Sequence, residues 1–594
     1  ADLYVDLYVL FMQLEGRYIP RVRLKLKPYR KRWPDGLDES VMALRQRNKE
    51  RIVSLLIRKI ERRHSERTLY RFSGEMSYEQ KRVQVLKWWN DHRFHLALAI
   101  RSPSELNRFL GKRLSKKTRV LLYMARKKGM PFFVTPYYLS LLNVEKDGYD
   151  DRVIRSYVFY SEELVREYGH IRAWEREDEV MPGKSNVAGW LLPHGHNIHR
   201  RYPDVAIMIP DSMGRACGGL CAVCQRMYDF QSERLNFNFA ELKPKESWEH
   251  KLNRLMSYFE QDTRLRDILI TGGDALMSQN ATLRKLLHAV YLMAVRKRRA
   301  NMLRPDGEKY AELQRVRLGS RLPAYLPMRI NDELIAILRE FREKASLAGV
   351  QQFIIQTHFQ SPLEVTPESA KALQSLRSAG WTVTNQHVYT VAASRRGHAA
   401  KLRRTLNRVG VVPYYTFSVK GFDENVALFT PNSRSMQEAC EEKTDGMMSE
   451  MQAEELVQHM NAYPLRINVL NRFMQRHHLP FLATDRNVLN LPGVGKSMSF
   501  QTVGIDEQGR RILRFEYDHG REHSPVIDRI GHVYIMENKS VAAYLRQLQE
   551  MGEMIAEYQS LWSYRHGETE PLFPLFRYPD YDFRVTERFT SFEL

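Results

Sequence analysis

Three cysteines stand within eight residues, as Cys217-Gly-Gly-Leu-Cys221-Ala-Val-Cys224. Thiolates at C-x3-C-x2-C spacing on one short loop can hold three irons of a [4Fe–4S] cluster, leaving the fourth iron without a protein ligand. An open coordination position suits a reactive metal centre, whereas a structural one is normally closed. The competing reading is a zinc site completed by His194, His196, His199 or Cys440. A second candidate is Lys496 in Gly493-Val-Gly495-Lys496-Ser497. A phosphate-binding P-loop would need glycine five residues before Gly495, and Asn490 stands there, so that motif fails. A lysine amine can still condense with an aldehyde, and burial that depresses its pKa makes it nucleophilic.

The elements that must position these groups are legible as short apolar runs alternating with helical patterns. Strands are expected at 205–209, 267–271, 315–318, 352–357, 382–389 and 411–417, and helices at 281–296, 332–345, 367–379 and 398–409. Six strands alternating with helices argue for an α/β fold with a parallel sheet and right-handed crossovers, closed or partly closed as a barrel. Chemistry in such folds sits at the C-terminal strand ends. The cysteines, Gly273, Ser320, His358 and Gln386 fall there. Two stretches read as insertions, a basic one at 296–309 and a helical one at 441–480.

The first ninety residues have another texture. Residues 21–27 alternate basic and apolar side chains, as a half-buried strand does, and 41–60 form a basic amphipathic helix expected to pack on its own domain. The expected division is a basic N-terminal extension at 1–85, a helical region at 86–200, the barrel at 201–430 and an α+β C-terminal region at 431–594.

Of 594 residues, 43% are hydrophobic and 27% charged, which excludes a largely disordered chain. Only four cysteines occur, and the clustering of three reads as a metal site in a reducing compartment rather than a disulfide framework. No apolar run reaches bilayer length, and the start at Ala1-Asp2-Leu3-Tyr4 has no leader pattern, so a cytoplasmic protein is expected. Ninety-two basic against seventy acidic residues give +22, a balance that favours anionic partners.

The cysteine spacing resembles the radical S-adenosylmethionine superfamily, in which the open iron chelates that cofactor. The wider pattern over roughly residues 80–520 resembles the lysine 2,3-aminomutase family. Its landmarks appear in order: Val134-Thr-Pro-Tyr-Tyr-Leu-Ser-Leu, Arg201-Tyr202-Pro203-Asp204, the cysteine loop, and Thr271-Gly272-Gly273-Asp274-Ala-Leu. Val316-Arg-Leu-Gly-Ser-Arg-Leu-Pro, Thr357-His358-Phe, Asn385-Gln386, Pro413-Tyr-Tyr and Pro492-Gly-Val-Gly-Lys496 follow. The resemblance implies a partial (β/α)6 barrel and an isomerase moving an α-amino group to Cβ with three cofactors. These are a [4Fe–4S] cluster on Cys217, Cys221 and Cys224, S-adenosyl-L-methionine, and pyridoxal 5′-phosphate carried on Lys496.

By the same resemblance, Arg201 and Tyr202 contact pyridoxal phosphate, and Gly272, Gly273 and Asp274 contact the methionine end of the other cofactor. His358 and Gln386 line its site, and Arg226 holds the substrate carboxylate. An electron donor such as flavodoxin or ferredoxin, and a homo-oligomer, are implied as partners.

The sequence departs from the family where lysine-specific members place two aspartates. Arg395 and Lys420 stand at the matching positions, as in the glutamate 2,3-aminomutase branch, so an anionic or polar distal group is expected on the substrate. A lysine or arginine aminomutase is the alternative. An RNA- or protein-modifying radical enzyme is a more distant one, because such enzymes commonly carry further cysteines and only Cys440 is left. No counterpart of the family's C-terminal zinc-binding cysteines is present, so no structural zinc is expected.

Overall fold

The computed structural model describes residues 1–18, 27–62, 69–130, 132–145, 148–168, 198–210, 247–271, 273–419, 426–443, 486–490, 499–516 and 532–567, with single residues and short pieces between 449 and 478. Its centre is a sheet of eight strands in sequential order: β1 (Ile198–Tyr202), β2 (Val205–Met208), β3 (Asp267–Ile270), β4 (Arg315–Gly319), β5 (Gln352–Thr357), β6 (Thr382–Val388), β7 (Val412–Val419) and β8 (Arg486–Asn490). β1 is antiparallel to β2, and every later pair is parallel. The six strands β2 to β7 curl into a parallel half-barrel. All six expected strands form, because each is an apolar, partly β-branched run bounded by turn residues.

Helices pack on the convex side: α3 (Trp248–Gln261), α4 (Asn280–Met302), α5 (Asp332–Leu347), α6 (Pro367–Ser378) and α7 (His398–Arg408), and α8 (Asn432–Glu441) lies next to β8. Side-chain caps fix several starts. Ser247 accepts from the His250 N–H, Asn331 from Leu334 and Thr366 from Ser369, the last with Pro367 at the first helical position. α7 instead starts after Gly397 at φ +75°, where a Cβ would stand 2.8 Å from the Tyr29 backbone.

Strand parity separates two chemistries. Ile268, Ile270, Val316, Leu318, Phe353, Ile355 and Val383 join the helices in one hydrophobic core. Phe353 meets Phe341 of α5 and Trp381 edge-on at 5.9 and 5.5 Å. The alternate residues of the same strands, including Asp267, Arg315, Arg317, Gln356 and Thr384, are buried and polar on the concave face.

The basic stretch expected as an insertion at 296–309 behaves differently in its first half. α4 runs on to Met302, because Lys297 turns inward and donates to the carbonyls of Phe259, Asp262 and Leu265 at 2.9, 2.7 and 3.2 Å. The helix expected at 41–60 forms as Glu39–Glu61, and Val41, Ile52, Val53, Leu56 and Ile60 join the same core as the barrel strands. The alternating stretch lies outside the described residues except at Lys27, which opens a short helix, Lys27–Lys31. A second, antiparallel sheet orders β9 (Ser499–Ile505), β10 (Arg511–Glu516) and β11 (His532–Met536) as β11-β10-β9, with a two-residue strand beyond β9. No described helix is long and apolar enough to cross a membrane.

Candidate functional site

Gly273, Asp274, His358 and Gln386 stand where β3, β5 and β6 end, whereas Tyr202 and Arg395 lie elsewhere. After β3, Asp274 lies buried, and its carboxylate accepts from the backbone N–H of Leu276 at 3.1 Å and of Arg321 at 2.6 Å. It thereby ties the turn after β3 to the turn after β4. Burial pushes its pKa up to about 6, opposed by these hydrogen bonds and by the Ser320 hydroxyl. Gly273 offers its carbonyl to the Thr271 hydroxyl at 3.4 Å.

His358, one residue past β5, is half-buried with its ring edge-on to Tyr157, whose hydroxyl lies 3.3 Å from Nε2. The Gln360 amide reaches the same Nε2 at 3.0 Å. Desolvation, with Arg321 and His387 adding positive charge nearby, lowers the His358 pKa to about 3. The imidazole is therefore neutral at any physiological pH and orients by hydrogen bonding rather than by charge.

A buried brace stands behind it. Glu364 accepts from Tyr138 Oη at 2.6 Å, Arg321 Nη2 at 3.2 Å, and the backbone N–H groups of Gln360 and Ser361 at 2.6 and 3.1 Å. Arg321 also lies 4.1 Å over the Tyr157 ring. Gln360 Oε1 accepts from the Val388 N–H, so one side chain links the ends of β5 and β6. Gln386 pairs in register with Tyr415 of β7. Tyr157, which meets the His358 ring, joins Tyr415, Phe417, Val419 and Phe429 in a buried apolar cluster.

Tyr202 is half-buried where β1 turns into β2, paired with Val205. Arg201 sits in the same strand, and nothing of its side chain is described. Its neighbour Arg200, which sequence alone does not distinguish from it, is wholly buried against Asp262 and bonded to Tyr258 Oη at 3.2 Å. Arg395 lies in the turn between β6 and α7, only 2% exposed. Its fork holds both oxygens of Asp150, at 2.5 and 3.1 Å, and its guanidinium sits 4.6 Å over the Trp33 ring. No described contact joins Arg395 to His358 or Gln386. Cys217, Cys221, Cys224, Arg226, Gly272, Lys420 and Lys496 lie outside the described residues.

The structure brings forward groups to which motif reading gave no role: Tyr138 and Arg321, which lie within the quoted landmarks, with Tyr157, Gln360 and Glu364 around His358, and Gln356 with Thr384 on the concave face. A signal for the last two exists in the sequence. Arg315, Arg317, Gln352, Gln356 and His358 recur at period two within otherwise apolar strands, which marks one face as polar.

No protein-family model matches the chain. An uncharacterized KamA family protein of Methanocaldococcus jannaschii is 26% identical over 576 residues, taking in 94% of this chain and 76% of that protein. An L-lysine 2,3-aminomutase of Methanococcus maripaludis is 27% identical over 330 residues, 55% of this chain. A glutamate 2,3-aminomutase of Clostridioides difficile is 25% identical over 338 residues, 56% of this chain. The matches span 64% and 65% of those two aminomutases, just under two thirds of their length. The similarity thus runs along nearly the whole chain to a KamA family protein, and over more than half of it to aminomutases named for lysine and for glutamate.

Proposed function

We propose that the chain is an isomerase that shifts the α-amino group of an amino acid to Cβ. The observation that carries this reading is the alignment with named 2,3-aminomutases acting on lysine and on glutamate. The cysteine triad and Lys496 support it from the sequence. Buried polar groups of the concave face that lack a hydrogen-bond partner among the described residues suit a polar cofactor held inside the half-barrel. When bound, the cluster with S-adenosylmethionine supplies one-electron chemistry for hydrogen abstraction, and pyridoxal phosphate an electron sink for the migrating nitrogen.

The protein's own part is to position. Asp274 fixes two strand-end turns relative to each other, and Glu364 with Gln360 holds the neutral His358 ring. Tyr157, within its buried apolar cluster, packs against the same ring.

For the substrate we propose an amino acid with an anionic or polar distal group, such as L-glutamate, because basic Arg395 and Lys420 replace the acids of lysine-specific relatives. One observation favours a second reading, L-lysine. Asp150 already fills the Arg395 fork, so a carboxylate stands beside that position after all. Anaerobic reconstitution with iron, sulfide and pyridoxal phosphate, followed by incubation with L-glutamate, L-lysine and L-arginine, tests both. A β-amino product from glutamate is expected, with loss of the cofactor absorbance and of turnover in Lys496→Ala. Product from lysine alone transfers the assignment to the second reading, and product from none of the three rejects the aminomutase reading for these substrates.

A further inference from the structure

Between Lys112 and Lys128 the chain carries eight basic residues and no acidic one, and all eight are exposed. The middle of this stretch is the helix Lys116–Lys127, started by the Ser115 hydroxyl, which accepts from the Thr118 N–H at 3.1 Å. Its inner face, with Leu122 and Ala125, is buried in the main hydrophobic core. Positions 116, 120, 123 and 127, spaced by four, three and four residues, share the outer face. There Val120 and Tyr123, with Met124 beside them, are 51%, 49% and 52% exposed and stand between Lys116 and Lys127.

This charge does not serve the fold. Lys112, Arg113, Lys116, Arg119, Arg126 and Lys127 make no side-chain hydrogen bond or ion pair among the described residues. Lys117 meets Glu162 at 3.1 Å with both side chains exposed, a pair of the kind that contributes little. Lys128 donates to the carbonyls of Arg166 and Tyr168 at 2.7 and 3.3 Å. Lys116 and Lys117 occupy the first turn, where the helix dipole disfavours cations, and like charges on one face repel. An anionic surface laid on this face offsets both effects.

The apolar trio decides which anionic surface fits. A membrane needs an apolar face free to insert, and the face opposite the cations is already buried. A nucleic-acid strand is held in grooves that track its backbone past several aromatic platforms, whereas this face is a convex helix with one tyrosine. A second copy of the chain brings the same positive excess, +22. An apolar centre containing Tyr and Met inside a charged rim is the anatomy of a protein contact. Twelve residues rise about 18 Å, so the contact belongs to the small, transient class.

We propose that residues 112–128 form a docking surface for an acidic protein, whose carboxylates pair with Lys116, Arg119 and Lys127 while an apolar side chain packs on Val120, Tyr123 and Met124. The inference goes beyond the aminomutase reading and does not depend on it.

Binding of the reconstituted full chain to three probes tests it: a fluorescent peptide in which glutamates flank leucines at helical spacing, poly(U) RNA, and vesicles of phosphatidylcholine with phosphatidylserine. The peptide is expected to bind most tightly, and added salt to weaken it. Lys116→Glu/Lys127→Glu is expected to weaken the peptide about tenfold. Arg299→Glu/Lys371→Glu, the same charge change at exposed positions of other helices, is expected to weaken it less than twofold. Val120→Ser/Met124→Ser is expected to weaken the peptide about threefold and to leave poly(U) unchanged. Circular dichroism checks that each variant keeps its helix content, and Lys116→Gln/Lys127→Gln serves if the charge reversal does not fold. Equal loss in the two charge-reversed variants, or no peptide binding by the wild-type chain, overturns the inference. Tighter binding of poly(U) or vesicles than of peptide, lost in Lys116→Glu/Lys127→Glu, overturns it too and gives the face to nucleic acid or lipid. Each result leaves the aminomutase reading standing, since no variant changes a residue of that site.

Discussion

Asp150 and Arg395 meet through two parallel hydrogen bonds over the Trp33 ring, and that pair has a measurable pH signature. Burial alone would raise the Asp150 pKa, but the Arg395 hydrogen bonds and charge outweigh it and hold it at about 2. The folded pKa lies below the unfolded value, so the pair's stabilisation is fully present above about pH 4 and fades as pH falls toward 2. Asp150→Asn is expected to cost about 1–3 kcal/mol at pH 7 and much less near pH 2, checked by urea denaturation at both. An equal loss at the two pH values would reject the ion pair as the cause. Asp274 runs the other way. Its folded pKa of about 6 lies above the unfolded value, so its burial weakens the fold as pH rises from about 4 to 6. Asp274→Asn removes an acceptor from the Leu276 or Arg321 N–H at every pH. It is expected to flatten that slope, which denaturation midpoints between pH 4 and 7 will show.

At the scale of elements, α4 owes its last turns to one buried lysine. Three carbonyls surround Lys297 Nζ, matching the three donors of an ammonium, while desolvation pulls its pKa down to about 7. Lys297→Met strands those carbonyls and is expected to cost about 2–4 kcal/mol, read as a fall in the denaturation midpoint without loss of the β-sheet signal. Elsewhere in the same helical layer, size rather than polarity does the holding. Trp381 is 2% exposed, packs against Phe341 and Phe353, and donates its indole N–H to the Leu338 carbonyl at 3.1 Å. Trp381→Ala is expected to cost about 3–5 kcal/mol through the cavity between β5, β6 and α5. A loss under 1 kcal/mol would show that the layer collapses to fill it.

Over the whole molecule, the two ends of the described chain are fastened to the barrel by buried polar contacts. Trp33 donates to the Arg396 carbonyl at 2.9 Å, and Asp35 accepts from Lys401 and Arg408, each at 2.9 Å. Arg396, wholly buried, binds Glu441 at 2.6 Å, Glu442 at 2.9 Å and the Glu557 carbonyl at 2.6 Å. α1 (Asp2–Leu14) reaches α9 (Val541–Glu550) through Asp2 and Arg546. Deleting residues 1–38 removes Trp33 and Asp35 and leaves Lys401 and Arg408 without that carboxylate. The truncated chain is expected to lose a single cooperative thermal transition, followed by circular dichroism. Retention of one sharp transition at the full-length temperature would show that the N-terminal segment is dispensable to the fold.

The sequence by itself determined the six parallel strands, the helices between them and the placing of His358, Gln386 and Asp274 at strand ends. These follow from local apolar runs, caps and turn residues, whose physics acts over a few positions. The resemblance to the lysine 2,3-aminomutase family was legible in the order of short motifs for the same reason. Contacts between distant segments were not legible. That Arg395 would be claimed by Asp150, that Lys297 would turn inward and extend α4, and that Glu364 would brace His358 depend on which segments the chain brings together. Pairing a buried charge is decided by the nearest opposite group in space, at sequence separations of 245 residues for Arg395 and Asp150. The unpaired state of Gln356 is likewise a tertiary fact, since the strand's alternation shows which face it shares and only the packed sheet shows that no partner reaches it.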